Sequence, residues 1–159
     1  MKLAVFDIVC DACEHAFQEA DVGPEAYGVF LLRTAAGGEM RVLHAMQDRT
    51  YDEVEALLQA DERIARLAAR HRAAILLEVY GAAACDPDAF DRSWRIGTHG
   101  RCPSCGSGVR RSWELASPPV TLDVDVPHVT HARWDGLSPD RKLARVRNLT
   151  DNLLDESTN

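Results

Sequence analysis

Four of the chain's five cysteines form two Cys-x-x-Cys pairs, Cys10 with Cys13 and Cys102 with Cys105. Two residues between cysteines let one tight turn present both sulfur atoms to the same ion, and zinc accepts four thiolates at tetrahedral corners. The 88 residues between Cys13 and Cys102 must fold back to bring the pairs together. We therefore predict one structural Zn²⁺ bound by all four side chains; iron, which also accepts four cysteines, is the alternative metal.

The segments around the two pairs resemble the two knuckles of the zinc-ribbon superfamily. Pro103 fixes φ directly after one ligand, and Gly106 permits a left-handed conformation just past the next, within the segment CPSCGS. The segment IVCDACEHAF is similar to the other knuckle, with Phe17 as the aromatic residue that ribbons often place beyond the second cysteine. The resemblance implies the same four cysteine ligands, in a first knuckle (residues 10–13) and a second knuckle (residues 102–105).

The chain departs from a compact ribbon in two ways. The first knuckle is followed by Glu14-His15 where glycine is usual, so a non-glycine residue is expected at positive φ, at a cost of about 1 kcal/mol. The insertion between the knuckles, residues 18–91, is also much longer. We expect the two knuckles to hold together a larger domain.

The sequence gives less support to other interpretations of this site. A redox Cys-x-x-Cys requires a lowered thiol pKa at a helix N-terminus, and the flanks of Cys102 and Cys105 are predicted to be strands. His15 and His99 lie close enough in sequence to replace a cysteine ligand. Four thiolates would leave no open position for water, which disfavours hydrolysis at the metal.

The net charge of −7 is unevenly distributed along the chain. Residues 1–62 carry 4 basic and 13 acidic side chains, residues 63–111 carry 9 and 4, and residues 112–159 carry 5 and 8. The overall charge disfavours binding to phosphate polymers, which only the basic middle could attract. We expect this middle segment to pack beside the acidic N-terminal part.

The first half of the chain is predicted to begin with strands. Residues 2–9 form an apolar run that leads into the first knuckle and predicts a strand. Residues 27–34 and 40–46 are apolar runs on either side of Gly37-Gly38, a pair that adopts positive φ readily, so we predict a β-hairpin.

A central helix is predicted next. Thr50 and Glu53 have the spacing of a capping box at its start. Apolar residues recur at three- and four-residue steps: Val54, Leu57, Leu58, Ile64, Leu67, Ala68 and Ile75. A break is expected near Ala60-Asp61. Residues 73–80 are compatible with continued helix or with a strand.

The second half is predicted to alternate strands and helix. Residues 92–98 and 109–115 flank the second knuckle and are predicted to pair as two antiparallel strands. Residues 120–126 alternate apolar and polar, as a half-exposed strand does. Ser138-Pro139 begins a C-terminal helix, with one apolar face formed by Leu143, Val146, Leu149 and Leu153.

These elements predict one α+β domain over residues 1–155: a split zinc ribbon with antiparallel strands, a β-hairpin, a central helix, and a C-terminal strand and helix over 120–155. A frayed tail is expected at 156–159. The chain has no apolar run of the roughly 18 residues needed to cross a bilayer. The start of the chain lacks a signal-peptide pattern, so a cytoplasmic protein with reduced thiols is expected.

Other residues have functional and structural interpretations. Cys85 is expected to be a small core residue. His128 and His131 form an H-x-x-H pair that would need further metal ligands, for which Asp123, Asp125 and Asp135 are near in sequence. The two histidines with Trp134 form an alternative binding patch.

Trp94 and Trp113 lie on the two strands predicted around the second knuckle. Together with Arg95, Arg110 and Arg111 they could stack and pair with nucleic-acid bases, or else cover the ribbon.

The sequence contains none of the common catalytic or nucleotide-binding motifs. We therefore expect a small zinc-binding adaptor or regulator whose partner is another protein, and not an enzyme. Two alternatives stay open. One is a nucleic-acid-binding regulator that uses residues 92–113, and the other is a thiol redox enzyme or an enzyme with a dispersed site. The oligomeric state is undetermined.

Overall fold

A computed structural model of the chain describes residues 1–35, 37–97 and 99–156. The strands are β1 (Lys2–Cys10), β2 (Ala16–Asp21), β3 (Val29–Thr34), β4 (Met40–His44), β5 (Trp94–Ile96), β6 (Arg110–Leu115) and β7 (Thr121–Asp123). The helices are α1 (Arg49–Gln59), α2 (Glu62–Ala65), α3 (Ala69–Ala84), α4 (Ala132–Asp135) and α5 (Pro139–Glu156). None of these helices is both long and apolar enough to cross a lipid bilayer.

The strands form two antiparallel sheets. In sheet A the order is β2-β1-β6. β7 lies on the same side of β1 as β6 does, and it pairs with the first residues of β1. In sheet B the order is β4-β3-β5. The mixed α and β content and the antiparallel pairing agree with the predicted fold class.

Sheet B lies between the helices and sheet A. Side chains alternate along its strands, so Leu32 and Leu43 belong to the core shared with the helices, whereas Leu31 and Val42 belong to a smaller core with Leu3 of β1. The predicted hairpin is confirmed as β3 and β4, joined through Gly37 and Gly38 at positive φ. Ala36, which precedes Gly37 in the sequence, lies outside the described residues.

The helical layer buries the largest side chains. Trp94, Trp134 and Tyr80 are each at most 1 % exposed and share one core with α1, α3 and α5. Val146 of the predicted C-terminal face is buried, and Leu149 and Leu153 pack against the same core. Residues 73–80, ambiguous by sequence, are helical and belong to α3.

The predicted capping box is wrong. The N-cap of α1 is Asp48, whose Oδ1 accepts a hydrogen bond from the Tyr51 amide at 2.8 Å. Glu53 does not reach back to the helix start, because its carboxylate accepts from the Trp134 indole and the Lys142 ammonium. The break at Ala60-Asp61 is confirmed, and Asp61 caps α2.

The predicted pairing of strands around the second knuckle is also wrong. β5 pairs with β3 in sheet B, whereas β6 pairs with β1 in sheet A. The reason is that Trp94 and Ile96 of β5 are buried in the helical core, which holds this strand in the other sheet. Thr98, the last residue of that predicted strand, lies outside the described residues.

The C-terminal part follows the prediction in outline. The strand predicted over 120–126 is shorter, since only Thr121–Asp123 pair with β1. The helix begins at Pro139 as expected. Of the predicted tail, Glu156 ends α5 and residues 157–159 lie outside the described residues. A single domain over 1–155 stays a prediction.

Candidate metal centre

The four predicted ligands meet at one point. The Sγ atoms of Cys10, Cys13, Cys102 and Cys105 all lie within 4.8 Å of one another. The Cys10–Cys105 and Cys13–Cys102 sulfur pairs are each 3.6 Å apart. A tetrahedral ion with Zn–S bonds of 2.3 Å places its sulfur atoms about 3.8 Å apart. The cluster is therefore geometrically able to hold a zinc-sized ion.

The sulfur atoms are free thiols in a partly covered site. All four cysteines are unbridged, and 3.6 Å is far beyond the disulfide bond length of about 2.05 Å. Cys10 and Cys102, the first members of each pair, are buried, whereas Cys13 and Cys105 are exposed. An ion bound here would have one side toward the protein and one side near solvent.

The first knuckle is a tight turn at the end of β1. The His15 carbonyl accepts a hydrogen bond from the Cys10 amide at 3.0 Å, and the Cys10 carbonyl accepts one from the Glu14 amide at 3.0 Å. Glu14 adopts φ of 59°, which confirms that a non-glycine residue takes positive φ here.

The second knuckle repeats this turn without the strain. The Cys102 amide donates to the Ser107 carbonyl and the Gly106 amide donates to the Cys102 carbonyl, both at 2.8 Å. Gly106, four residues after the first cysteine as Glu14 is in the other turn, has φ of 73°. The two knuckles therefore have the same backbone conformation and the same pattern of backbone hydrogen bonds, although their sequences differ.

The thiols influence one another's protonation. Burial by itself raises the pKa of Cys10, but amides of Cys13 and Ala12 and the neighbouring thiols lower the pKa to about 7. At Cys105 a hydrogen bond from the Ser107 amide lowers the pKa, yet the other three cysteines together with burial raise it to about 12. Adjacent thiolates repel, so the first to ionise makes the next harder to ionise. A divalent cation would remove this repulsion.

Sheet A holds the two knuckles side by side. Cys10 at the end of β1 pairs with Arg110 at the start of β6, after a register shift between Val9 and Cys10. The Asp11 amide also donates to the Val109 carbonyl at 3.1 Å. The two ends of the second knuckle differ, because only the segment that follows it enters sheet A.

Glu19 of β2 ties down the segment before the second knuckle. Its carboxylate accepts from the Gly100 amide at 2.7 Å and from the Arg110 guanidinium at 2.8 Å. The Arg33 guanidinium lies 3.4 Å from the same carboxylate. All three charged side chains are largely buried, so the charges must compensate one another.

Asp21 and His99 extend this network. The Arg33 guanidinium lies 3.4 Å from Asp21 Oδ2, and His99 Nδ1 lies 3.2 Å from the same oxygen. Burial raises the pKa of Asp21, but the close contact with His99 and the charge of Arg33 lower it more, so it lies below its usual range. Glu19, Asp21 and His99 are close enough to bind a metal, yet two arginines already neutralise the carboxylates.

Neither histidine considered as a replacement ligand belongs to the sulfur cluster. His99 faces Asp21 and the Trp113 ring, whose centroid is 5.1 Å away. His15 stacks against Phe17 with ring centroids 6.3 Å apart.

Most of the residues predicted to contact nucleic acid are buried or make contacts within the protein. Trp94 is 1 % exposed and its indole donates to the Asp86 carbonyl, so it cannot stack on a base. Trp113 stacks on Phe6 with centroids 4.5 Å apart. Arg110 and Arg111 form ion pairs with acidic residues of the N-terminal segment: Asp11, Glu14 and Glu19. This pairing agrees with the expected packing of the basic middle beside the acidic N-terminal part.

The H-x-x-H pair does not form a metal site or a surface patch. His131 Nε2 lies 3.0 Å from Asp48 Oδ2 and its Nδ1 lies 2.9 Å from the Ala84 carbonyl, so both ring nitrogens donate. His128 instead stacks on His44, with ring centroids 5.2 Å apart. Trp134 is buried, which contradicts the predicted binding patch.

Cys85 is a core residue, as expected. It is buried beside Tyr80 and His131, and burial raises the pKa of its thiol.

Sequence reasoning missed Glu19, Arg33 and Asp48. Each is a charged residue whose role depends on a contact distant in sequence, and a single acidic or basic side chain in a polar segment gives no local signal. Comparison with protein-family models, with curated proteins and with solved structures gives no match.

Proposed function

We propose that the four cysteines bind one structural zinc ion. The observation that carries this proposal is the 3.6 Å spacing of the Cys10–Cys105 and Cys13–Cys102 sulfur pairs, close to that of a tetrahedral zinc–thiolate site. Four thiolates close the coordination shell, so the ion would stabilise the fold and would not activate water. Such a site suits a reducing compartment such as the cytosol.

Metal analysis of protein purified without chelator tests this site. We expect one zinc per chain for the wild type and none for Cys102→Ser/Cys105→Ser. Cys85→Ala is the matched control, because it removes a cysteine outside the cluster and should leave the zinc content unchanged. Iron in place of zinc would change the metal assignment. Retention of metal by the double variant would overturn the ligand assignment.

We propose further that the protein acts by binding another protein. Supporting this role, apolar side chains lie exposed along the β6 and β7 edge of sheet A, where no other described strand pairs: Val109, Trp113, Leu115, Val120 and Leu122. Exposed apolar groups beside unpaired strand edges are typical of interaction surfaces. A closed metal site and an acidic overall charge are consistent with an adaptor or regulator.

Affinity capture from a lysate tests the adaptor role. The wild type is compared with Val109→Glu/Leu122→Glu, which places charge on the edge, and with Met46→Glu, which alters an exposed apolar residue elsewhere. We expect a protein that the wild type and Met46→Glu retain and the edge variant loses. Equal capture by all three would exclude this edge, and capture of no specific protein would contradict the adaptor role.

Two other functions receive less support. Nucleic-acid binding through residues 92–113 loses one of its two stacking tryptophans, since Trp94 is buried, and Trp113 stacks on Phe6. A redox role requires a cysteine pair at a helix N-terminus, whereas Cys10–Cys13 connects β1 to β2 and Cys102–Cys105 lies between β5 and β6. A mobility-shift titration against salt and a thiol-reactivity assay of the metal-loaded protein would test these two functions.

A further inference from the structure

A cleft opens between the tip of the β3–β4 hairpin and the segment that leads into the second knuckle. It has a volume of about 660 Å³. Its lining contains Arg33, Arg95, Arg101 and His99 but no acidic residue among those described. A cleft with only cationic charges is unexpected in a chain with net charge −7. The local field attracts anions although the whole protein does not.

Arg95 is the strongest indication of a ligand. In the β3–β5 pairing it lies directly opposite Arg33, and like charges at such positions destabilise a sheet. Arg33 is compensated by Glu19 and Asp21. Arg95 is exposed, and no described carboxylate lies within ion-pair distance of it. The sheet therefore retains a cation at the cleft wall that nothing in the described part of the chain neutralises.

Arg101 provides a second available guanidinium. One of its nitrogens donates to the Gly106 carbonyl at 3.1 Å, which orients the side chain along the second knuckle. It is exposed and makes no ion pair with a described residue. Glu39, which follows Gly38 of the hairpin tip in sequence, pairs with Arg41. Arg95 and Arg101 therefore place two guanidiniums without a described carboxylate partner in the lining of one cleft.

Glycines give a ligand close access to the backbone. Five line the cleft: Gly37, Gly38, Gly97, Gly100 and Gly108. An added Cβ at Gly37, Gly38, Gly97 or Gly108 would meet no atom within 4 Å, so these positions face open space. Backbone amides and guanidiniums both donate to phosphate oxygens. The Gly37 and Gly100 amides already donate to the Thr34 carbonyl and the Glu19 carboxylate, so Gly38, Gly97 and Gly108 are the glycines that would contribute.

We propose that this cleft binds a phosphate monoester. Arginine forks match phosphate oxygens in pairs, and the described lining has no tryptophan, tyrosine or phenylalanine on which a nucleic-acid base could stack. The ester is carried by a phosphorylated serine or threonine of a protein partner, or by a small phosphate compound. The phosphoprotein source rests on the proposed adaptor role, since it specifies which group of the partner binds in the cleft.

Titration calorimetry on the zinc-loaded protein tests the proposal. The ligands are phenyl phosphate, a short phosphoserine peptide, and the same peptide with serine or glutamate. We expect the two phosphorylated ligands to bind and the other two to bind at least ten-fold more weakly. Tighter binding of the phosphopeptide than of phenyl phosphate identifies a protein source, and the reverse order identifies a small compound.

Arg95→Gln should weaken phosphate binding by about ten-fold or more, because it removes the uncompensated cation. Arg101→Gln should have a similar effect, with zinc content measured to confirm that the adjacent knuckle is intact. Arg70→Gln is the matched control: it removes an exposed arginine from the start of α3 and should leave affinity unchanged.

Three results would overturn the proposal: no binding of either phosphorylated ligand, equal affinity for the phosphorylated and unmodified peptides, or unchanged affinity of Arg95→Gln. None of these measurements uses the natural partner. Normal zinc content and normal partner capture alongside failed phosphate binding would therefore refute this inference alone and leave the proposed function standing.

Discussion

The two knuckles have the same hydrogen bonds but different supports. The first connects two strands, β1 and β2, which pair with each other over six residue pairs of one sheet. The second connects β5, which belongs to sheet B, to β6, which belongs to sheet A. The first knuckle therefore closes a hairpin that has its own backbone ladder, whereas the second connects two sheets.

The local sequence suggests that the second knuckle depends less on the rest of the fold than the first, and the strand pairing indicates the opposite. Pro103 and Gly106 make the second knuckle the better turn, but the segment before it has no strand partner in sheet A. Glu19 anchors that segment through the Gly100 amide, and a bound ion would add a second anchor through Cys102 and Cys105. A favourable turn sequence does not indicate which turn depends most on the rest of the fold.

Removing zinc should produce the largest change. Structural zinc contributes on the order of 10 kcal/mol at neutral pH, so the chelated protein should melt at a much lower temperature. Hydrogen exchange measured by mass spectrometry should show residues 99–109 losing protection first, while the β1–β2 amides keep theirs longest within sheet A. Earlier loss at the first knuckle would contradict the difference in support described above.

Glu19→Gln should have the next largest effect. The substitution keeps the shape but leaves Arg33 and Arg110 with one carboxylate fewer, and breaking a buried ion pair costs about 3 kcal/mol. Denaturant unfolding measures the loss, and residues 99–101 should exchange faster. Glu114→Gln removes an exposed carboxylate of the same sheet and should change stability little. Equal effects of the two variants would exclude the anchoring role of Glu19.

The Asp48–His131 pair gives a reference in the helical layer, away from both knuckles. Burial lowers the pKa of His131, but its hydrogen bond to Asp48 and further contacts raise it to about 10. The pKa of a histidine in the unfolded chain is about 6.5. The stabilisation from protonated His131 is therefore complete below pH 6.5 and is lost as the pH rises through 10. Burial also raises the pKa of Asp48, yet the contact with His131 lowers it below its usual value, so stabilisation is lost in acid too.

Asp48→Asn tests this pair and keeps a good N-cap. We expect a loss of about 2 kcal/mol at pH 6 that shrinks towards pH 10, measured by denaturant unfolding at a series of pH values. Zinc content should be unchanged. A loss that is constant with pH would exclude a charged His131 as its source.

The smallest predicted effects have opposite signs in the two knuckles. Glu14→Gly should stabilise the protein by about 0.5–1 kcal/mol, since a non-glycine residue leaves positive φ, whereas Gly106→Ala should destabilise it by about 1 kcal/mol. Thermal melting of the zinc-loaded variants measures both. Glu14→Gln, which keeps the backbone strain, should change little. Effects of the same sign at positions 14 and 106 would contradict the equivalence of the two turns.

Local sequence signals predicted a large part of the secondary structure and the cysteine cluster. The hairpin of β3 and β4 follows from two apolar runs around Gly37-Gly38, and the break between α1 and α2 follows from Ala60-Asp61. The cysteine spacing predicted a turn at each pair, and both turns are present. These features depend on residues within a few positions of one another, so the chain itself carries their signal.

Competing local choices were decided by distant contacts. Thr50 and Asp48 are both good N-caps, and Asp48 is used because its second carboxylate oxygen binds His131, 83 residues away. Glu53, which a capping box would turn back to the helix start, is held by Trp134 and Lys142. No pattern in the segment around residue 50 could distinguish these outcomes.

Residues close together in the sequence were enough to predict the chemistry of the candidate site: which side chains could hold a soft metal, in which turns, and with what strain at Glu14. The folded structure was needed to see where β5 and β6 lie, which arginines are neutralised, and that Arg95 beside the cleft forms no ion pair with a described residue. The physical reason is how far apart in the sequence the interacting residues lie. Turn geometry and ligand type depend on bonded neighbours, whereas burial of Trp94 and the balance of charges around Glu19 depend on segments that meet only when the chain has folded.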